Sequence, residues 1–162
     1  MTFPTDRTLL AGAWITADNA ATFAVHSPAT GALLAHVPDC GVAETDRAIE
    51  AAHLAWPAWR DRTAKERAAV LRRWFTLIME HRTALATLMS QESGKVISES
   101  LGEVTYGASF VEWFAEEAKR QYGDVIPSHA RDKRLVVLRQ SVGVAAAITP
   151  WNFPLAMITR KV

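Results

Sequence analysis

The chain has 162 residues, of which 49% are hydrophobic and 22% are charged, a composition typical of a folded globular protein. Its formal net charge of +1 gives no strong field that would favour nucleic acid or an anionic membrane as a partner. No apolar run approaches the length of a bilayer, and the amino terminus lacks the layout of a signal peptide. The single cysteine, Cys40, excludes an internal disulfide and fits a reducing compartment, so the cytoplasm is the expected location.

The amino-terminal part of the chain predicts short strands joined by turns. Residues 8–16, which contain Gly12, are typical of a short strand pair or bend. Residues 22–26 and 32–37 predict two further strands. Between them, residues 27–31 read Ser-Pro-Ala-Thr-Gly, a composition that favours a turn.

Helices are predicted next along the chain. The first covers residues 44–56 and is expected to stop at Pro57, because proline lacks the backbone N–H that a helix interior needs. Residues 63–66 have the pattern of a capping box, in which the first and last side chains accept from each other's backbone N–H groups. The helix that this box opens has an apolar stripe typical of a core-facing helix, formed by Leu71, Trp74, Phe75 and Ile78.

Two more helices and a strand follow. Residues 83–93 predict a helix that ends at Gly94, and residues 98–121 predict a long one. Residues 131–134 are a charge cluster typical of a solvated turn, and residues 135–138 predict a strand. The apolar positions expected to face the core are Leu85, Leu88, Met89, Leu101, Val104, Ala108, Val111 and Ala115.

The end of the chain predicts a strand, a loop and a helix. Residues 144–148 form a charge-free apolar run, which suits a strand buried on both faces of a parallel sheet. Pro150 and Pro154 bracket the loop, and Pro154 also suits the first position of a helix from Leu155 onward. The loop, residues 149–153, therefore lies at the carboxyl end of a strand, where open α/β sheets bind ligands.

Asn152 is the polar side chain in this loop with the clearest chemical use. Its amide NH2 group could donate to an oxyanion if Trp151 and Phe153 hold it rigid. The other interpretation is that Asn152 only ties down the turn before a helix, as asparagine often does. Spacing by itself favours the second interpretation.

Arg160 lies further along the predicted helix. Phe153, Met157 and Arg160 are spaced i, i+4 and i+7 and share one helix face. The Cα atoms of Asn152 and Arg160 would then be roughly 12 Å apart. A guanidinium that leans back along the helix could bind the carboxylate of a short substrate whose carbonyl lies near Asn152. The alternative, which spacing by itself favours, is an ordinary surface charge beside Lys161.

Two other kinds of site are set aside. The five histidines are scattered, without ligand-like spacing to one another or to Cys40, so no metal site is expected. A catalytic cysteine needs nearby positive charge or a helix amino terminus. Cys40 precedes a helix, but its charged neighbours are Asp39 and Glu44, so we do not assign it as a nucleophile.

Residues 148–154 read Ile-Thr-Pro-Trp-Asn-Phe-Pro, which resembles the signature of the aldehyde dehydrogenase superfamily. The extension at residues 157–161, Met-Ile-Thr-Arg-Lys, most resembles its succinate-semialdehyde dehydrogenase branch, as do residues 113–127. Family-like elements also occur at residues 28–31 and 92–95. The resemblance therefore runs almost end to end.

The resemblance implies a role for each residue of the motif. Asn152 takes the place of the family's asparagine, which helps to hold the oxyanion of a thiohemiacetal. Phe153 and Met157 match positions that line the substrate tunnel, and Arg160 matches the position that holds the substrate carboxylate. The cofactor, NAD or NADP, is expected to contact Ile148, Thr149, Pro150, Trp151 and Asn152.

The implied fold class is α/β and incomplete, the amino-terminal part of an aldehyde dehydrogenase fold. We expect residues 1–123 to be the start of the nucleotide-binding domain, with small β hairpins and a helical layer. Residues 124–141 would be oligomerisation-arm strands, and residues 142–162 the first strand, loop and helix of the nucleotide-binding sheet. The family's cysteine nucleophile, its glutamate base and the lysine that holds the adenosine ribose lie downstream of the asparagine motif. The chain is therefore expected to be an amino-terminal fragment.

The implied function is oxidation of an aldehyde, with succinate semialdehyde as the expected substrate, to a carboxylate by NAD(P)+. The full-length family forms homo-oligomers, and the fragment alone is expected to be inactive. The alternative is a non-catalytic remnant or interaction fragment that associates with intact homologous subunits through residues 124–140.

Overall fold

The computed structural model describes residue 4 and residues 6–162, and it begins with antiparallel hairpins. The turn between the second pair of strands is closed by the Gly31 N–H, which donates to the Ser27 carbonyl at 2.8 Å, and Gly31 has a positive φ of 72°. Both predicted strand pairs are confirmed. Their strands are β1 (Thr8–Leu10), β2 (Ala13–Ile15), β3 (Thr22–His26) and β4 (Leu33–Pro38).

The helical layer follows, and its ends use the chemistry that the sequence predicts. Thr63 Oγ1 accepts from the Glu66 N–H, and Glu66 Oε2 accepts from the Thr63 N–H at 2.8 Å, so the capping box is confirmed. The third helix ends at Gly94, which is left-handed with a φ of 70°. The helices are α1 (Val42–Arg60), α2 (Ala64–Glu80), α3 (Arg82–Ser93) and α4 (Ile97–Glu117), followed by a 3-10 turn at Ala118–Arg120.

Pro57 does not stop α1, so this prediction is wrong. The helix continues to Arg60, and the Pro57 carbonyl accepts from the Asp61 N–H at 3.0 Å. A proline removes one N–H donor, here the one that would reach the carbonyl of His53 four residues earlier. Because His53 is exposed, water can solvate that carbonyl, and the helix tolerates the proline.

The core lies between α2, α3 and α4. The predicted apolar stripes are confirmed, since Val104 is fully buried and Val111 is 2% exposed. Trp74 and Phe75 pack against this core from α2 and do not form an exposed stacking site. The buried members of the core are Ile78, Ala86, Met89, Val104, Ala108 and Val111.

A third hairpin follows the helical layer. Strand β5 (Asp124–Ile126) pairs antiparallel with β6 (Leu135–Val137), and Val125 lies opposite Val136. The predicted strand at 135–138 is therefore confirmed. Val125 is 83% exposed, so the described residues leave this hairpin with an uncovered apolar surface. Its predicted use as an oligomerisation arm stays a prediction.

The predicted buried strand at residues 144–148 does not form. These residues belong to no helix or strand, and Ile148 is 95% exposed. A strand needs a neighbour for its backbone N–H and C=O groups, and no described strand pairs with this segment. The helix expected from Leu155 is present but short, as α5 (Ala156–Thr159). The α/β fold class is confirmed, without the first strand of the expected sheet.

Candidate functional site

The segment that contains Asn152 ends in α5, which lies directly against α4. Gly107 of α4 makes this contact possible, because a Cβ atom there would overlap the side chain of Leu155 and lie 3.3 Å from the Cα of Ala156. Thr159 of α5 is 2% exposed, and Ala156 is fully buried. The helical layer therefore provides the surface on which the asparagine loop rests.

An ion pair between the half-buried Lys95 and the buried Glu103 holds the asparagine loop to this surface. Lys95 Nζ pairs with the Glu103 carboxylate, and the two side chains are only 16% and 1% exposed. Lys95 Nζ also donates to the backbone carbonyl of Asn152 at 2.9 Å and lies 4.5 Å from the ring centroid of Phe153. Lys95 therefore contacts the loop at the Asn152 carbonyl and at the Phe153 ring, while its charge is paired with Glu103.

The same carboxylate holds the start of α5. Glu103 Oε1 accepts from the backbone N–H groups of Leu155 and Ala156, at 3.0 and 3.4 Å. These N–H groups lie at the start of the helix, where backbone donors have no partner within the helix. The buried charge of Glu103 is thus compensated by one ammonium and two peptide donors.

Asn152 and Phe153 line a cavity of about 570 Å³ beside this ion pair. Tyr106 of α4 lines the same cavity, together with Lys95 and Glu103. Asn152 is an exposed residue and is therefore open to a ligand in this space. The arrangement offers an amide donor beside a fixed backbone.

Arg160 follows the last residue of α5 and contacts α4. Its Nη2 donates to the Tyr106 hydroxyl at 3.0 Å, and its guanidinium carbon lies 4.9 Å from the ring centroid of Phe110. The rings of Tyr106 and Phe110 meet edge to face, with centroids 4.8 Å apart. Two aromatic side chains of α4 therefore orient the guanidinium, which lines a neighbouring groove of about 830 Å³.

The predicted site residues thus fall into three places. Asn152 and Phe153 line the smaller cavity, and Arg160 lines the larger groove. Tyr106 connects the two, because it lines the first and receives the hydrogen bond of Arg160. Met157 is half-buried in α5. Their roles toward a substrate stay a prediction.

The predicted cofactor loop is open. Ile148 is 95% exposed and Trp151 is 85% exposed, while Thr149 is half-buried. Residues 148–151 belong to no helix or strand, and their backbone groups make no hydrogen bond to the backbone of another described residue. The role of this loop toward a cofactor stays a prediction.

Sequence reasoning missed Glu103 and Tyr106, and it noted Lys95 only as part of a motif. Glu103 is a charged residue directly before Val104 of the apolar stripe. It lies at i+3 from Ser100 and at i−4 from Gly107, both of which are buried. The sequence signal for Glu103 was a carboxylate between small residues on the predicted core face of the helix. A carboxylate buried there requires hydrogen-bonding or charged partners, so it indicates a site.

Two other kinds of site were searched for in the described part of the chain. No three His, Cys, Asp or Glu side chains there come together in a way that could hold a metal ion. No helix there combines the length and the apolar character needed to cross a membrane. Cys40 is a free, half-buried thiol between β4 and α1, and it lines neither cavity.

Comparison with known proteins identifies the class of protein. Residues 14–162 match the aldehyde dehydrogenase family, and the chain therefore belongs to that family of oxidoreductases. It is 62% identical over 150 residues to the glutarate-semialdehyde dehydrogenase of Pseudomonas putida, an alignment that covers 93% of this chain and 31% of the relative. It is 58% identical over 153 residues to the NADP(+)-dependent succinate-semialdehyde dehydrogenase GabD of Escherichia coli, covering 94% and 32%.

A solved structure agrees. The succinate-semialdehyde dehydrogenase from Burkholderia pseudomallei superposes with a TM-score of 0.96 at 53% identity, covering 99% of this chain and 34% of that one. The chain thus spans about a third of the length of the relatives it matches. Its fold is correspondingly a part of the aldehyde dehydrogenase fold.

Proposed function

We propose that the protein to which this chain belongs oxidises a short aldehyde with a carboxylate at its far end, such as succinate semialdehyde, with NAD or NADP as the acceptor. The observation that supports this most is the oriented guanidinium of Arg160 close to the cavity of Asn152, with Tyr106 in contact with both. The relatives named for succinate- and glutarate-semialdehyde oxidation support the same substrate class.

Asn152 would act on the carbonyl end of the substrate. An amide N–H aimed at the aldehyde oxygen stabilises the negative charge that develops when a nucleophile adds to the carbonyl carbon. Phe153, which is 39% exposed, and the half-buried Met157 would form apolar walls for the carbon chain of the substrate. The amide donor is useful only if its direction is fixed before the substrate arrives.

Arg160 would bind the carboxylate end. A guanidinium can bind both oxygens of a carboxylate, and one that is already oriented loses less side-chain entropy on binding. The hydrogen bond to Tyr106 and the stacking on Phe110 provide that orientation. Arg160 would therefore discriminate between acidic and uncharged aldehydes of the same length.

The loop at residues 148–151 would hold the cofactor through backbone groups. A nicotinamide cofactor supplies hydride acceptance when bound, and the part of this chain is to place backbone polar groups beside it. The resemblance further suggests that the β5–β6 hairpin joins another subunit of a homo-oligomer. The cytoplasmic location expected from the sequence also stays a prediction. The comparisons do not favour the alternative of a non-catalytic interaction fragment.

The test uses a full-length enzyme that contains residues 1–162, or a chimera in which they replace the corresponding segment of GabD. Arg160→Ala should raise KM for succinate semialdehyde by about 10- to 100-fold, the worth of a charge-assisted hydrogen-bonded pair. KM for butanal, which has the same number of carbons and no carboxylate, should stay unchanged. Steady-state NAD(P)H formation measures both.

The matched control is Arg47→Ala, which removes an arginine that pairs with Asp18 at 2.6 Å beside the amino-terminal hairpins. It should leave both KM values unchanged. Equal effects of Arg160→Ala on the two aldehydes would refute the assigned substrate class. Residues 1–162 alone should form no NAD(P)H, and reproducible turnover by them would contradict the expected need for further catalytic residues.

A further inference from the structure

The segment from Asn152 to Ala156 is fixed at both of its ends by one pair of charges, Lys95 and Glu103. Lys95 Nζ donates to the carbonyl of Asn152, and Glu103 Oε1 accepts from the N–H groups of Leu155 and Ala156. Because Lys95 and Glu103 also pair with each other, the start and the end of this segment are tied to a single ion pair.

The pair is poorly explained as a device for stability alone. Moving two charges out of water costs free energy that their mutual attraction only partly returns, and apolar side chains of similar volume often stabilise a protein as well or better. Apolar side chains could not, however, donate to the Asn152 carbonyl or accept from peptide N–H groups. The ion pair therefore adds something that apolar side chains cannot: it fixes the orientation of the backbone at Asn152, Leu155 and Ala156.

The backbone that Lys95 contacts carries the Asn152 side chain, the proposed oxyanion donor. A hydrogen bond to the carbonyl of Asn152 restrains the peptide plane that follows it, while Lys95 also lies over the ring of Phe153. Asn152 is exposed and lines the cavity, and the direction of its side chain depends on the restrained backbone from which it projects. A rigid backbone is what a preorganised oxyanion donor needs.

We propose that Lys95 and Glu103 are positioning residues that fix the Asn152 amide in the direction required for catalysis. The proposal rests on the proposed oxyanion role of Asn152. Both act on Asn152 through the backbone of residues 152–156.

The expected effect is on the chemical step. A misplacement of about 1 Å in a catalytic group can lower the rate about 100-fold. In the full-length enzyme, Lys95→Met should therefore lower kcat about 10- to 100-fold, while KM for succinate semialdehyde changes by less than about threefold, because the interaction lost is one made in the transition state. Lys95→Arg, which keeps a charged donor, should recover most of the lost kcat.

A double-mutant cycle distinguishes positioning from a general structural role. Asn152→Ala should lower kcat about 10²- to 10³-fold. In that background, Lys95→Met should lower kcat no further, because the group it positions is already gone. A merely structural lysine would lower kcat in both backgrounds by the same factor, and that result would overturn the proposal.

The two ideas fail separately. If Asn152→Ala leaves kcat unchanged, the oxyanion role and the positioning proposal that rests on it are both wrong. If Asn152→Ala lowers kcat but Lys95→Met does not, only the positioning proposal is wrong. Arg47→Met, which breaks the ion pair with Asp18 away from the loop, is the matched control and should leave kcat unchanged.

A second variant covers the case in which a lone buried charge prevents folding. Lys95→Met combined with Glu103→Gln removes both charges and keeps an oxygen that can accept from the Leu155 and Ala156 N–H groups. This double variant should fold, judged by its circular dichroism, and still show the drop in kcat and the dependence on Asn152. A folded double variant with unchanged kcat would contradict the proposal.

Discussion

The helical layer α2–α4 and the segment at residues 142–151 are both rich in apolar residues, yet their surroundings are opposite. Val104 and Ala108 of α4 are fully buried, whereas Val142 and Ile148 are each 95% exposed. The helices make their own backbone hydrogen bonds and bury one stripe against each other. The segment pairs with no strand among the described residues, and most of its apolar side chains are exposed.

The difference shows which part of the chain is stabilised by its own contacts. A buried helix needs only a matching face on its neighbours, and residues 64–117 supply three such faces. A central strand of a parallel sheet needs a hydrogen-bonded neighbour on each side. The asparagine loop stands between these two cases, because Lys95, which precedes α4, and Glu103 of α4 hold it.

The largest expected effect tests this contrast with one substitution at two positions. Ile78→Ala removes a side chain that is 6% exposed and should lower the free energy of unfolding of the isolated chain by about 2–5 kcal/mol. Ile148→Ala removes the same atoms from an exposed site and should change it by less than about 0.5 kcal/mol. Urea unfolding followed by circular dichroism gives both values. Similar losses at the two positions would show that residues 142–151 are packed in solution.

The next effect tests how tightly α5 approaches α4. Gly107→Ala should lower the free energy of unfolding by about 1–3 kcal/mol, because the added methyl overlaps Leu155 and crowds the backbone of Ala156. Gly102→Ala on the same helix meets no atom within 4 Å and should instead stabilise by about 0.5–1 kcal/mol through helix propensity. Thermal unfolding of the two variants measures the difference. If both variants gain stability, α5 does not lie against α4.

The smallest effect concerns pH and the start of α1. Glu44 is 7% exposed, and its pKa is held below the ordinary value of 4.5 because the carboxylate accepts from the N–H groups of Asp18 and Gly41. A lowered pKa means that the ionised form stabilises the fold above about pH 4.5 and that this contribution is lost as pH falls through the folded-state pKa.

Glu44→Gln should therefore lower Tm at pH 7 more than at pH 3, as measured by thermal unfolding at both values. Glu50→Gln, at an exposed position of the same helix, is the control and should show no such dependence. A Tm deficit that is equal at the two pH values would mean that the Glu44 carboxylate acts by shape and not by charge.

Much of the layer could be predicted from the sequence, because the information is local. The capping box at Thr63, the left-handed Gly94 and the stripe through Val104 and Val111 depend on residues a few positions apart, and each is confirmed. The prediction that Pro57 ends α1 was wrong because the sequence does not show whether the His53 carbonyl, which loses its N–H partner, can be solvated by water. The asparagine motif resembles the aldehyde dehydrogenase signature, and this resemblance indicated the family from the sequence alone.

Tertiary structure alone decided the surroundings of that motif. No local pattern joins Lys95 to Asn152, 57 residues away, or Glu103 to Leu155, 52 residues away. Nor could spacing show that Tyr106 and Phe110 orient Arg160. The sequence by itself determined the helices, the hairpins and the family, because neighbouring residues specify these; packing decided how α4 holds the loop, because that depends on side chains that meet only after folding.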